Sequence, residues 1–155
     1  MQILNFPPLE ITVRQHNNRR EIYDPVRKRY FVLTPEEWVR QHVISYLLLE
    51  KHVPMNLVAV EKNLKINTLT KRFDVVVFNR NARPLMLIEC KAPGIKVNES
   101  VFDQAARYNM SLKAGLFLIT NGIEHYCCRI DFENSLYVFM NEIPLFQEMV
   151  AINAG

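Results

Sequence analysis

Three charged residues stand at the ends of two apolar segments. Asp74 precedes the apolar run of "RFDVVVF", and Glu89 and Lys91 end the run of "LMLIECK". Charged side chains are rarely buried without a partner. Two carboxylates and a lysine are also the residue types that bind a divalent cation and hydrolyse a phosphodiester bond. The alternative is a cross-strand ion cluster with a structural role only.

The spacing of these residues predicts that they meet. The segment "RNAR" indicates a short hairpin loop between the two strands. If Asn79 lies opposite Pro84, the register places Asp74 opposite Glu89, with Cβ atoms about 5 Å apart. Strand alternation then puts Lys91 on the same face as Glu89. Facing carboxylates in an apolar sheet resist ionisation unless a cation joins them, and Mg²⁺ or Mn²⁺ suits such oxygen ligands.

Two polar residues on the following segment are further candidates. "VFDQAARYNMSLKA" predicts a helix on which Gln104 and Tyr108, four residues apart, share one face. The helix follows the strand of Lys91 directly, so it can pack beside the end of that strand. The amide and the hydroxyl can bind a nucleotide or hold the carboxylates. Ordinary helix-surface or core positions are the alternative.

The surrounding elements indicate an α/β fold with a mixed sheet. "TPEEWVRQHVISYLLLEKHV" predicts a helix from about residue 35 to 51, with Thr34 as N-cap, Pro35 in the first turn and Glu37 completing a capping box. The strands "LVAVEKNLKI", "RFDVVVFN" and "PLMLIECKA", the second helix and the strand "AGLFLITNG" give the order α-β-β-β-α-β. Two more strands and a short helix, "EHYCCRIDF", "SLYVFM" and "PLFQEMVA", follow.

The chain of 155 residues is expected to form a single domain. We expect an irregular basic arm with short extended pieces over 1–33, the α-β-β-β-α-β core over 34–125 and C-terminal additions over 126–155. No phosphate-binding glycine loop is present, so we expect a domain that has no nucleotide-hydrolysing motor of its own. The lack of a long apolar run or a signal peptide, with three cysteines, predicts a cytoplasmic protein and no membrane partner.

The charge distribution favours an anionic partner. Net charge is only +3, but residues 14–30 carry a local +4, residues 51–96 a local +6, and residues 97–155 a local −4. A basic region of this extent fits nucleic acid, although a solvated surface without a partner is equally compatible. Arg27, Lys28, Arg29 and Tyr30 are the candidates for contacting phosphates and stacking on a base.

Together these motifs resemble a known class of enzymes. Asp74, the Glu89-Cys90-Lys91 tripeptide and the Gln104-x-x-x-Tyr108 spacing, on this order of elements, look like the PD-(D/E)XK nuclease superfamily. More narrowly, "YDPVRKRYFVLTPEEWVRQHVISYLLLE", "RFDVVVF", "IECKAP" and "FDQAARYN" resemble the N-terminal nuclease domain of type I restriction endonuclease R subunits. The likeness covers about residues 23–125. Phe73 stands where the motif often has proline, at a variable position.

The resemblance implies a restriction-endonuclease-like fold and a residue-by-residue assignment of the site. Asp74, Glu89 and the Cys90 backbone carbonyl would hold Mg²⁺ or Mn²⁺, and Lys91 would be the catalytic lysine. Gln104 and Tyr108 would match the Q-x-x-x-Y motif. An acid on the first helix is common in the superfamily, and Glu37 is the candidate, with a purely capping role as the alternative.

The expected function is therefore metal-dependent cleavage of DNA by a restriction-type endonuclease, with RNA not excluded as substrate. Two alternatives stay open: a nucleic-acid-binding or assembly module that keeps the fold without turnover, and a nuclease acting on branched DNA or RNA ends. Other restriction or repair subunits are expected partners. A homodimer is a further option, because two sites are needed to cut both strands of a duplex.

Overall fold

The computed structural model describes residues 1–154; Gly155, the last residue of the predicted C-terminal additions, lies outside the described part. The helices are α1 (Pro35–Leu49), α2 (Glu99–Leu112) and α3 (Phe146–Asn153). The strands are β1 (Val13–His16), β2 (Arg19–Asp24), β3 (Arg29–Val32), β4 (Val58–Ile66), β5 (Leu69–Phe78), β6 (Pro84–Cys90), β7 (Leu116–Thr120), β8 (His125–Asp131) and β9 (Leu136–Met140). The predicted α-β-β-β-α-β order is confirmed as α1-β4-β5-β6-α2-β7. No helix within residues 1–154 is both long and apolar enough to cross a membrane.

A six-stranded mixed sheet in the order β4-β5-β6-β7-β8-β9 forms the centre of the fold. Only β6 and β7 are parallel among its neighbouring strands, and α2 supplies the crossover that a parallel pair requires. One face packs against α1 and α3 around Ile44 and Ile88. The opposite face packs against α2 around Phe102 and Phe117. Burial on both faces explains why β6 and β7 are nearly continuous apolar runs.

The two helices beside the candidate site begin at defined caps. Thr34 Oγ1 accepts a hydrogen bond from Glu37 N at 3.0 Å, and Pro35 lies in the first turn, as predicted. Asn98 Oδ1 accepts from Val101 N at 2.9 Å and starts α2. These caps satisfy backbone donors that a helix start leaves free. They therefore fix where each helix begins relative to the sheet.

The predicted arm is more regular than expected, because its short extended pieces, within residues 13–32, pair as a three-stranded antiparallel sheet. Asn17 and Asn18, with φ of 49° and 62°, make the two-residue turn between β1 and β2. Positive φ at both central residues is the requirement of a type I′ hairpin, and asparagine adopts it readily. Ile22 is fully buried, and β2 contacts α1. The small sheet thus belongs to the framework around the start of α1.

The β5–β6 hairpin has the predicted register at the candidate site. The observed pairs are Val75–Ile88, Val76–Leu87 and Val77–Met86. Continued by one residue, this register sets Asp74 opposite Glu89. The predicted pairing of Asn79 with Pro84 is wrong, because a bulge at the end of β5 brings the residue before Asn79 opposite Pro84. Asn79 instead closes the loop by donating from its backbone N to Arg83 O at 2.8 Å.

Candidate active site

Asp74 is held by donors from two different elements. Its Oδ1 accepts from Arg40 of α1 at 3.0 Å, and its Oδ2 accepts from the backbone N of Cys90 at 2.7 Å. Its side chain is 17% exposed. The contact with Cys90 ties the carboxylate to the end of β6, beside Glu89. The Cys90 carbonyl as a metal ligand stays a prediction.

One carboxylate oxygen of Glu89 receives no hydrogen bond from the described residues. Its side chain is 14% exposed, and Oε1 has no hydrogen-bond partner within residues 1–154. Lys71 Nζ is nearby, but its 3.5 Å separation from Oε1 is an ion-pair contact, too long for a strong hydrogen bond. Burial and the negative charge of Asp74 raise the pKa of Glu89 to about 7. A proton or an added cation would therefore stabilise this carboxylate.

A cleft of about 130 Å³ joins Glu89 to the face of α2. Lys91, Gln104 and Tyr108 line it, so the structure brings these predicted residues together with Glu89. Lys71 lines the same cleft and was missed by the sequence analysis. Its Nζ lies 5.2 Å from the centroid of the Tyr108 ring. The cleft therefore presents two ammonium groups, an amide and a phenol beside one carboxylate.

The two acids in the first turn of α1, Glu36 and the predicted Glu37, have different surroundings. Glu37 Oε1 pairs with Arg40 at 2.8 Å and with Arg27 at 3.0 Å, and Gln41 donates to its Oε2. By contrast, burial and the charge of Asp74 raise the pKa of Glu36. Glu36 thus lies in the electric field of the site, whereas Glu37 orients the arginine that binds Asp74. A catalytic role for Glu37 stays a prediction.

Arg27 lies inside a network of carboxylates. Its guanidinium contacts Asp24 at 2.6 Å, Glu37 at 3.0 Å and Glu61 at 3.3 Å, and its side chain is only 16% exposed. Asp24 is fully buried and also accepts from Gln41 at 2.9 Å. These contacts give Arg27 a structural role that the sequence did not reveal. They argue against its predicted contact with a phosphate, because the donors of its guanidinium already face three carboxylates.

The other three residues of the predicted nucleic-acid contact differ in accessibility. Lys28 and Arg29 are exposed at the turn before β3 and at the start of that strand. Tyr30 is partly covered, with the Arg14 guanidinium 3.7 Å from its ring centroid and the Tyr23 ring at 5.2 Å. Stacking of Tyr30 on a base would require Arg14 or Tyr23 to move. The roles of these three residues stay predictions.

The elements around this cluster lie within a family-level match. Residues 35–144 match the model of the family described as type I restriction enzyme R protein N terminus (HSDR_N). The match spans more than half of the chain, and the protein therefore belongs to this family. A comparison with curated proteins found no match.

A solved structure supports the fold independently. The chain is similar to a structure titled as a fragment of an HsdR subunit of a type I restriction enzyme from Vibrio vulnificus YJ016, with 19% identity and a TM-score of 0.55. The similarity covers 77% of this chain and 25% of that one. At this identity the likeness establishes the shared fold. The matched part of this chain thus spans about a quarter of the length of the HsdR fragment.

Proposed function

We propose that this chain is a metal-dependent nuclease of the PD-(D/E)XK type that hydrolyses phosphodiester bonds in DNA. The observation that carries the proposal is Glu89, a largely covered carboxylate with a raised pKa and a buried, unpartnered Oε1, in the same cleft as Lys91 and close in charge to Asp74. Membership of the restriction R-subunit family supports a restriction-type role. The pattern of a perturbed acid with charged partners in a cleft is typical of functional sites.

The charges around Asp74 and Glu89 fit a divalent cation. Arg27 and Arg40 pair with five carboxylates, Lys71 pairs with Glu89, and Lys91 acts on Glu89 through its charge, so that six carboxylates and four cations leave two negative charges when Glu89 is ionised. The carboxylates are Asp24, Glu36, Glu37, Glu61, Asp74 and Glu89, and the cations are Arg27, Arg40, Lys71 and Lys91. Hard oxygen ligands suit Mg²⁺ or Mn²⁺, which would be held by Asp74, Glu89 and the Cys90 carbonyl.

Each side chain in the cleft has a role in this chemistry. A bound cation supplies charge stabilisation and lowers the pKa of a coordinated water. Lys91 orients the nucleophile and balances the charge that develops on the phosphate. The amide of Gln104 and the hydroxyl of Tyr108 hold the substrate strand against α2. Arg40 keeps Asp74 in place from the opposite side.

A non-catalytic module that binds nucleic acid or assembles with other subunits is the second candidate. Arg40 already pairs with Asp74, and Lys71 already lies near Glu89, as in a structural ion cluster. Within residues 1–154, no group of three or more His, Cys, Asp or Glu side chains is preformed as a metal site. This candidate predicts DNA affinity that does not change with metal and no cleavage products.

The partners of the proposed nuclease follow from its family. Restriction R-subunit membership points to DNA as substrate and to other restriction subunits as partners that direct the cut. A homodimer is the simplest way for a chain with one site to cut both strands of a duplex. RNA is the less favoured substrate.

The direct test is cleavage of supercoiled plasmid with Mg²⁺ or Mn²⁺ by wild type, Lys91→Ala and Lys96→Ala. Lys96 is an exposed lysine in the loop after β6 and serves as a matched control. We expect metal-dependent nicking by wild type and Lys96→Ala, and a loss of at least about 100-fold in Lys91→Ala. Equal cutting by Lys91→Ala would contradict the proposed site. Metal-independent binding without products would favour the second candidate.

A further inference from the structure

The β4–β5 hairpin extends well beyond the strand that carries Glu89. Pairing between β5 and β6 begins at Val75, whereas pairing between β4 and β5 continues to Ile66 and Leu69. Five residues of β5 therefore lie beyond Asp74 on the side of the tip. At about 3.4 Å per residue, this part of the hairpin reaches roughly 17 Å past Asp74. The tip is open, since Leu69 is 63% exposed.

The two faces of this extension are different. One face carries Leu64, Ile66 and Phe73, which pack with the core beneath α2. The other face carries Asn63 opposite Arg72 and Lys65 opposite Thr70, and all four side chains are exposed. The packed face holds the hairpin in place, so the exposed face is presented on a supported ribbon rather than on a free loop.

The exposed face is basic and leads to the site. Lys65 and Arg72 form no ion pair within residues 1–154, unlike Arg27, Arg40 and Lys71. Arg72 is two residues from Asp74, a distance of about 7 Å along β5. Asp74 points to the α1 side through its contact with Arg40. Arg72 and Lys65 thus lie on the α1 side of the hairpin, Arg72 near Asp74 and Lys65 nearer the tip, while the cleft of Glu89 opens on the α2 side.

We propose that this face, formed by Asn63, Lys65, Thr70 and Arg72 and here named the hairpin face, binds the phosphate backbone of double-stranded DNA and guides it to the Asp74 end of the sheet. The hairpin face has no aromatic side chain. Proteins that bind single strands use aromatic residues to stack unpaired bases, so this surface fits the regular backbone of a duplex better. The hairpin face replaces Arg27 as the principal phosphate contact.

This inference rests on the proposed function, and its test separates the two. Binding of a fluorescent 20-base-pair duplex is measured by anisotropy in a chelating buffer between 50 and 200 mM salt. The variants are Lys65→Glu/Arg72→Glu and, as control, Lys62→Glu. Lys62 is an exposed lysine that pairs with Phe73 and therefore lies on the side of the hairpin opposite the hairpin face. Thermal unfolding of each variant confirms that the fold is retained.

We expect the double variant to bind the duplex at least tenfold more weakly than wild type. The plot of log K against log salt should also become less steep by about 2, because each of the two lost phosphate contacts contributes about 0.9 to its slope. The control should bind within about twofold of wild type. Equal affinity or an equal slope in the double variant, the same loss in the control, or tighter binding of single-stranded DNA or RNA by wild type would overturn the inference.

Plasmid cleavage by the same proteins distinguishes the two failures. The predicted binding losses without any metal-dependent cleavage would retain the hairpin face and reject the nuclease. Metal-dependent cleavage by wild type, with an unchanged rate for the double variant at subsaturating DNA, would retain the nuclease and reject the hairpin face.

Discussion

The Arg40 guanidinium donates to Asp74 Oδ1 over 3.0 Å and so connects a candidate metal ligand to the first helix. The other terminal nitrogen of Arg40 donates to Glu37 Oε1 at 2.8 Å, and Glu37 in turn binds Arg27. This chain of contacts runs from the turn after β2 to the end of the β5–β6 hairpin. The N-terminal sheet therefore takes part in positioning Asp74, although none of its strands belongs to the central sheet.

Removing the charge of Glu37 should destabilise the protein. The Glu37 side chain is 8% exposed and contacts Arg40 at 2.8 Å and Arg27 at 3.0 Å, so Glu37→Gln takes the negative charge out of two short ion pairs in a poorly solvated place. We expect a loss of about 3 kcal/mol in the free energy of unfolding, measured by urea denaturation. Glu36→Gln is the matched control, because its side chain is 49% exposed and its pairing should contribute less than about 1 kcal/mol. Equal stability of Glu37→Gln and wild type would show that the network is not structural.

The raised pKa of Glu89 predicts a pH-dependent stability in metal-free protein. Because the folded-state pKa is about 7 and the ordinary value is 4.5, the folded chain binds more protons than the unfolded chain between these values. Stability should thus fall as pH rises from about 5 to about 8. Glu89→Gln cannot ionise, so its advantage over wild type should grow by on the order of 2 kcal/mol across that range. Denaturation curves in chelating buffer measure it, and parallel pH profiles would contradict the prediction.

Lys71 should hold down the pKa of Glu89. Its positive charge is the principal influence favouring the ionised form, at 3.5 Å from Oε1. In Lys71→Met the pKa of Glu89 should rise further above its ordinary range, as followed by carbon-13 NMR of the side-chain carboxyl. Lys65→Met is the control, since Lys65 lies on the exposed face of the same hairpin. A lower or unchanged pKa in Lys71→Met would mean that the lysine does not act on Glu89.

The sequence predicted most of the central fold because its signals are local. Apolar runs and cap residues fix the strands and helices, and the short loop indicates that β5 and β6 form a hairpin with Asp74 and Glu89 near its open end. The bulge near Asn79 was missed because it depends on a loop closure that pairs Asn79 with Arg83. The sheet of β1 to β3 was missed although its turn residues, Asn17 and Asn18, carry a recognisable signal.

The composition of the site was harder to predict, since it depends on tertiary packing. A helix start gives no indication of which of Glu36 and Glu37 is buried, and the rotation of α1 buries Glu37 and leaves Glu36 exposed. Lys71 enters the cleft because its face of the hairpin packs toward α2. Arg27 was assigned to nucleic acid on charge alone, without its three carboxylate partners, two of which are distant in sequence.

The most direct test of the central claim is calorimetric titration of Mn²⁺ into wild type, Glu89→Gln and Asp74→Asn at pH 8. Glu142→Gln, an exposed acid beyond β9, is the control. If Asp74 and Glu89 hold a cation, wild type and the control should bind Mn²⁺ alike, and the two site variants should bind at least tenfold more weakly. Binding of equal strength in all four proteins, or none by wild type at millimolar Mn²⁺, would contradict the account and leave an ion cluster at the end of a sheet.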